Sequence, residues 1–255
     1  MRGAPNPPSS LSQFRVLLVE DSEDNQLVIQ YHLQTIGVMT DLAKNGKDAI
    51  EQFTTTPYDL VLMDLQMPVM DGYSATRAIR QWESEQQRPA VPIIALTASL
   101  APQEQQEARE AGCGDHLTKP LKKEALLNLI KKVYNHSIEA DNSSNFSKKP
   151  PSPAPQDKYL AILDPDLEEL VPKILEIKRQ QAQEIQEAIR QNDCEAVKKL
   201  AHKMRGSHGL EGVNDLAKSI EDMANQGDLL AVQTLTHELI DYLEHVVIHF
   251  KEEMR

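Results

Sequence analysis

Cysteine is nearly missing from this chain: Cys113 and Cys194 are the two present among 255 residues. Two cysteines so far apart make neither a disulfide framework nor a metal-spaced set, so a reducing, cytoplasmic setting is expected. Long apolar runs are missing as well. No stretch approaches the roughly 18 apolar residues that cross a bilayer, and no membrane insertion is expected. Basic charge is in deficit, with 27 Lys and Arg against 39 Asp and Glu. That balance argues against nucleic-acid binding, which needs cations to neutralise phosphates. A nucleotide-binding glycine motif is also lacking, which excludes a stand-alone kinase from the expected functions.

Proline is concentrated in two places, and both punctuate the chain. Residues 1–14 carry Pro5, Pro7 and Pro8 among small polar residues. Without an apolar core they read as a loose tail rather than a secretory signal. Residues 138–158 read IEADNSSNFSKKPPSPAPQDK, with four prolines in six residues. Such a stretch supports neither a helix nor a central strand and is expected to be a linker. The expected division is a 1–14 tail, a 15–137 domain, a 138–158 linker and a 159–255 domain.

Between tail and linker, apolar runs alternate with amphipathic stretches. Arg15–Glu20, Asp59–Asp64 and Pro92–Thr97 are short, continuous and rich in Val, Ile and Leu. Runs of this kind suit strands buried on both faces of a parallel sheet. Met39–Ala43 and Asp115–Thr118 are weaker strand candidates. Helical stretches follow each, near 24–36, 46–54, 71–84, 102–111 and 121–136. Five β-α units predict an α/β doubly wound fold with a parallel five-stranded sheet.

After the linker the apolar spacing changes to three and four. Helices near 166–191, 194–208, 214–226 and 228–252 predict an all-α, antiparallel four-helix bundle. Pro172 is expected to bend or interrupt the first. The last carries the stripe Val232, Leu235, Leu239, Tyr242, Leu243, Val246, Val247 and Phe250.

The strand ends of the first domain carry the chemistry. Strand one ends in Glu20-Asp21, strand three in Asp64 and strand four in Thr97, and Lys119-Pro120 follows strand five. In a parallel sheet these ends share one edge. Three carboxylates there repel one another unless a cation joins them, and a hard divalent ion such as Mg²⁺ suits oxygen ligands. The expected chemistry is attack by one carboxylate on a phosphoryl group, with metal, Lys119 and Thr97 neutralising its oxygens.

Four motifs stand in order around these residues: VLLVEDSEDN at 16–25, LVLMDLQMPVMDG at 60–72, IIALTAS at 93–99 and LTKPL at 117–121. On them, residues 15–134 resemble bacterial response-regulator receiver domains of flavodoxin-like fold. The resemblance implies that Asp64 is the phosphoacceptor. It implies that Glu20, Asp21, Asp64 and the Gln66 backbone carbonyl bind Mg²⁺, that Thr97 is a switch hydroxyl, and that Lys119 is a conformational lysine. His116 stands where many receivers carry Tyr or Phe, and its charge is sensitive to pH. Gln66 and Ser99 stand where receivers tune acyl-phosphate lifetime. Asp71-Gly72 reads as a turn and helix start.

In the second domain one histidine is distinctive. On the 194–208 helix, Val197, Leu200, Ala201 and Met204 form the apolar stripe. At about 100° per residue, His202 lies roughly 140° from it and is expected to be exposed. Lys198, Lys199, Arg205 and Gly206 share its face. Nearby cations favour a neutral, nucleophilic imidazole. The run AHKMRGSHG at 201–209 resembles the histidine-phosphotransfer (HPt) signature. That resemblance implies that His202 carries a phosphoryl group and Arg205 steadies it. His208 and Glu211 depart from the usual pattern. His245 and His249, four apart, read as a solvated helix face, and His32, His136 and His237 as surface residues.

Both resemblances together imply a phosphorelay protein. An upstream sensor histidine kinase and a downstream receiver protein are the expected partners. The competing expectation is a response regulator whose helical bundle docks a partner without phosphotransfer.

Overall fold

The computed structural model describes residues 11–98, 101–138, 159–206 and 209–251. All but the first residue of the expected linker, most of the expected tail, Ser99 and His208 lie outside the described residues. The chain divides into two compact units, Met1–Asn142 and Ser143–Arg255.

In the first unit, five strands alternate with five helices. The strands are β1 (Arg15–Val19), β2 (Met39–Ala43), β3 (Leu60–Asp64), β4 (Ile93–Thr97) and β5 (Asp115–Thr118). The helices are α1 (Glu23–Gln34), α2 (Gly46–Thr55), α3 (Gly72–Glu85), α4 (Pro102–Ala111) and α5 (Lys123–Ile138). All strand pairs are parallel, in the order β2-β1-β3-β4-β5. This is the doubly wound sheet that the alternating pattern predicts. The order explains the composition of each strand. β3 and β4 are buried at every residue, and β1 at all but its first. The edge strands β2 and β5 are largely uncovered and correspondingly more polar.

One sheet face packs Val16, Leu18, Leu60, Leu62 and Leu96 against Ile29 and Leu33 of α1 and Leu126 and Ile130 of α5. The other packs Leu17, Val61, Met63 and Ala95 against Ala49 and Phe53 of α2 and Ala75 and Ile79 of α3. Each fully buried aliphatic side chain contributes about 1.5–3 kcal/mol. The sequence alternates its targets within a strand because successive side chains point to opposite faces.

One histidine departs from expectation here. His32 is 1% exposed, not a surface residue. It shares the inner face of α1 with Val28, Ile29 and Leu33, the three-and-four spacing that turns one helical face to the sheet.

The second unit contains α6 (Val171–Arg190), α7 (Cys194–Met204), α8 (Glu211–Gln226) and α9 (Leu229–His245). Its buried stripes are Ile174, Ala182 and Ile185; Val197, Ala201 and Met204; Val213, Ala217 and Ile220; and Val232, Leu239 and Leu243. Asp193 and Asp228 cap α7 and α9, accepting from the Ala196 and Ala231 backbone N–H groups. Gly227 closes α8 in a left-handed conformation, which glycine adopts without a Cβ clash. Pro172 lies in the first turn of α6 and follows a 3-10 helix over Pro165–Leu170. It therefore starts the helix rather than bending it, since a first-turn N–H needs no partner.

The unit also holds a short parallel strand pair that the helical reading lacked: β6 (Leu160–Leu163) with β7 (Val247–Phe250). The last helix ends at His245, so Val247 and Phe250 belong to a strand, not to its stripe. His249 is likewise on β7 and does not share a helix face with His245. β-Branched Val247 and Ile248 suit extended backbone, and Tyr159 supports the pair by bonding Asp241 at 2.6 Å and stacking on Tyr242.

Candidate functional sites

The first site forms where the carboxyl ends of β1, β3, β4 and β5 meet. β1 delivers Glu20, which is fully buried. Its Oε1 accepts from the Ser22 backbone N–H and the Asn25 side-chain amide, both at 3.2 Å. β3 delivers Asp64, 5% exposed, whose Oδ1 accepts from the Gln66 backbone N–H at 3.1 Å. Lys119, beyond β5, places Nζ 2.6 Å from Asp64 Oδ2 and 2.6 Å from Glu20 Oε2. One carboxylate oxygen each from Glu20, Asp21 and Asp64 lies within 4.8 Å of the others.

The chain's local geometry makes this convergence possible. Gly72 begins α3 directly behind Asp64; a Cβ there would sit 2.1 Å from the Asp64 carbonyl oxygen. Only glycine lets the loop return so closely. Asp71 caps the helix, accepting from the Ser74 N–H at 2.7 Å, which fits the turn and helix start read from the sequence. Within that loop Val69 has φ 70°, and the Met70 N–H donates to the Pro68 carbonyl at 2.8 Å.

Electrostatics follow from burial and crowding. Burial pushes the Glu20 carboxyl up, Lys119 opposes it, and Asp64 raises it further, to about 7. Burial alone would lower the Lys119 ammonium, but Asp64 and Glu20 outweigh it and hold it above its ordinary range. One ammonium thus serves two carboxylates while a third stands within reach. The set is all-oxygen, crowded and short of positive charge, which fits a hard divalent cation.

Thr97 is 8% exposed at the end of β4, and its hydroxyl donates to Glu104 Oε2 of α4 at 3.3 Å. Glu104 was not singled out in the sequence; its signal is a carboxylate in the first turn of the helix that follows the threonine. His116 lies on β5, half-exposed, in register with Ala95 of β4.

The second site is in the helical unit and is organised around a carboxylate that the sequence reading passed over. Glu221 of α8 places Oε1 3.0 Å from His202 Nδ1 and Oε2 2.7 Å from Arg205 Nη1. His202 is therefore not an exposed residue. Its side chain is 28% exposed, because α8 packs against the face that the wheel turned to solvent. Burial alone would raise the Glu221 carboxyl, but bonds from His202 and Arg205 hold it below the usual range. An ionised carboxylate accepts, so His202 Nδ1 donates and Nε2 is the ring's basic nitrogen. The sequence signal for Glu221 is faint: a carboxylate beside the buried seam Val213, Ala217, Ile220 and Ala224. Lys199 of the expected basic face lies 3.6 Å from Glu195.

Among the remaining histidines, His245 bonds the Asp241 carbonyl at 2.9 Å and is exposed, as is His237. Among the described residues, Glu20, Asp21 and Asp64 are the one group of three acidic, histidine or cysteine side chains close enough to hold a metal ion.

Comparison with known proteins places the first unit. Residues 16–131 match the family model of the response regulator receiver domain. The chain is 31% identical, along its entire length, to the sensor histidine kinase GacS of Pseudomonas protegens, of which the match spans 28%. It is 28% identical over 96% of its length to the aerobic respiration control sensor protein ArcB of Escherichia coli, spanning 32% of that protein. The chain thus corresponds to about a third or less of these relatives. A crystal structure of the receiver domain of a Pseudomonas aeruginosa sensor histidine kinase, with magnesium in its active-site cleft, is 38% identical. That match covers 48% of this chain and 98% of the other, with a TM-score of 0.44. No helix among the described residues is long and apolar enough to cross a membrane. With the family match, the 2-1-3-4-5 parallel sheet and the acidic cluster on its carboxyl edge, residues 16–131 form a response regulator receiver domain of two-component signalling.

Proposed function

We propose that the chain is a phosphorelay intermediate in which Asp64 and His202 each carry a phosphoryl group. In this reading residues 15–137 are the receiver, 138–158 a linker and 159–255 an HPt domain. The observation that carries the finer half is the Glu221 carboxylate bound at once to His202 and Arg205, an arrangement that equips the imidazole as a nucleophile.

At the receiver, Glu20, Asp21, Asp64 and the Gln66 backbone carbonyl would hold Mg²⁺. Bound there, the ion would offset carboxylate repulsion and charge on the incoming phosphoryl oxygens. Asp64 attacks phosphorus, forming an acyl P–O bond as the bond to the donor breaks. Lys119 Nζ, already against Asp64, accompanies the charge to a phosphoryl oxygen. The Thr97 hydroxyl exchanges Glu104 for another such oxygen.

At the bundle, His202 Nε2 attacks the phosphorus of a phosphoaspartate. A P–N bond forms, the acyl P–O bond breaks, and the aspartate leaves as a carboxylate. The ring keeps its Nδ1 proton, and Glu221 balances the positive charge that develops. Arg205, on the other arm of Glu221, would steady the phosphoryl oxygens. The expected route runs from an upstream histidine kinase to Asp64, then His202, then a separate receiver protein, in the cytoplasm.

The test labels wild-type protein, Asp64→Asn and His202→Ala with a phosphodonor or kinase and separates acid-labile from base-labile phosphate. Wild type should carry both kinds, Asp64→Asn no acyl phosphate, and His202→Ala no phosphohistidine. Acyl phosphate alone in wild type would favour the other reading, a bundle that docks a partner without transfer.

A further inference from the structure

We infer that Lys178 is a positioning residue for His202, holding the last turn of the histidine's helix from inside the bundle. The inference rests on the phosphotransfer reading of His202. Lys178 takes no part in the chemistry proposed above and lies on a different helix.

Its place on α6 is one that an aliphatic residue would normally fill. Ile174, Lys178, Ala182 and Ile185 are buried on one face of that helix, and Lys178 is 0% exposed. Burying an ammonium costs several kcal/mol unless something on the protein replaces its hydration. Here the Nζ donates to the Met204 carbonyl oxygen at 3.1 Å. Met204 is the last residue of α7, where carbonyls have lost their intrahelical partners and carry the negative end of the helix dipole. A cation is therefore well matched to this spot, and an apolar residue of similar size is not.

What that bond secures is specific to the site. His202 stands two residues before Met204, inside the terminal turn. Helix ends fray, so a nucleophile in a last turn is poorly placed unless the turn is held. Immediately after Met204 the chain leaves the helix: Arg205 is extended, at φ −70° and ψ 158°, and Gly206 has φ 82°. From this break Arg205 reaches the same Glu221 carboxylate that holds His202 Nδ1. Lys178 thus anchors the point from which both arms of the clamp are set. A shift of about 1 Å at a reacting group can slow a reaction by roughly a hundredfold, so the anchor acts on rate.

The readouts separate this role from a merely structural one. Lys178→Met takes this donor from the buried Met204 carbonyl and should lower the melting temperature modestly. Its transfer rate from a phosphorylated receiver to His202 should fall by about tenfold to a hundredfold, with apparent receiver affinity unchanged. Nitrogen-15 NMR of the imidazole should show wild type dominated by the Nδ1-protonated tautomer and Lys178→Met a mixture. Amides of Lys203 to Arg205 should exchange faster with solvent. Lys178→Gln, which keeps a donor, should recover part of both readouts, and it serves in place of Lys178→Met should that variant not fold. Unchanged tautomer signals and a rate within about twofold of wild type would overturn the role of Lys178. If wild type never acquires phosphohistidine, the phosphotransfer reading fails instead, and the tautomer and exchange measurements still decide whether Lys178 sets the imidazole.

Discussion

The two sites handle charge in opposite ways. At the receiver edge one ammonium is shared by two buried carboxylates, with Asp21 close by. At the bundle one carboxylate is shared by an imidazole and a guanidinium. The first arrangement is short of positive charge and gains from a cation. The second is already balanced and largely covered, so it is built to hold a ring in one orientation. On the proposed reading, a phosphoryl acceptor is prepared at one site by a deficit that a metal would complete and at the other by a clamp complete within the protein.

The sharpest way to break the comparison is to remove the acceptor from the first site. Asp64→Asn should abolish base-labile acyl phosphate, and chelation of Mg²⁺ should do the same in wild type, read by labelled phosphate. Persistent acyl phosphate in the variant would put the acceptor elsewhere. At the second site, Glu221→Gln keeps the shape but removes the charge that fixes the tautomer. Transfer to His202 should slow by about a hundredfold, while acyl phosphorylation of Asp64 stays normal. Equal rates in a rapid-quench assay would mean that the clamp is only structural.

A third test uses pH. Burial is the main cause that lifts the Glu20 carboxyl from its ordinary 4.5 to about 7 in the folded protein. Between those values the folded state binds more protons than the unfolded state, so the contribution of Glu20 is complete below about 4.5 and is lost as pH rises through about 7. Metal-free receiver should therefore melt at progressively lower temperature across that window. Mg²⁺ should offset the loss, and its affinity should climb with pH because Glu20 must shed its proton to bind it. A melting temperature that rises with pH without metal would contradict the charge deficit.

How far each site could be read from the sequence follows from the same contrast. The receiver site is assembled from strand ends: β3 and β4 are continuous apolar runs that end in Asp64 and Thr97, and β1 is one that Glu20 directly follows. Even the edge strands β2 and β5 fall at Met39–Ala43 and Asp115–Thr118, as their weaker patterns predict. The histidine clamp is different. His202 and Arg205 are three residues apart and visible, but Glu221 belongs to another helix, and only bundle packing brings it to them. That packing also covers the face that a helical wheel gives to solvent. The end of α9 misleads for a related reason. Val247 and Phe250 fit a helical stripe, yet their partners in β6 lie more than eighty residues earlier in the chain.

The smallest expected effect concerns the receiver loop. Val69 is 81% exposed and has φ 70°, a conformation costly for a β-branched side chain. Val69→Gly should stabilise the receiver by about 1 kcal/mol, seen as a higher melting temperature, without loss of acyl phosphate. A lower melting temperature would mean that the valine side chain contributes packing that outweighs its backbone strain.

Passage of phosphate between Asp64 and His202 is tested most directly by mixing two variants. Asp64→Asn protein supplies an intact histidine and His202→Ala protein an intact aspartate; a phosphodonor specific for aspartate is added. Acid-labile phosphohistidine should then appear on the Asp64→Asn chain, fed by the phosphorylated His202→Ala chain. Acyl phosphate that accumulates and decays with no phosphohistidine formed, in the mixture and in wild type alike, would contradict the relay.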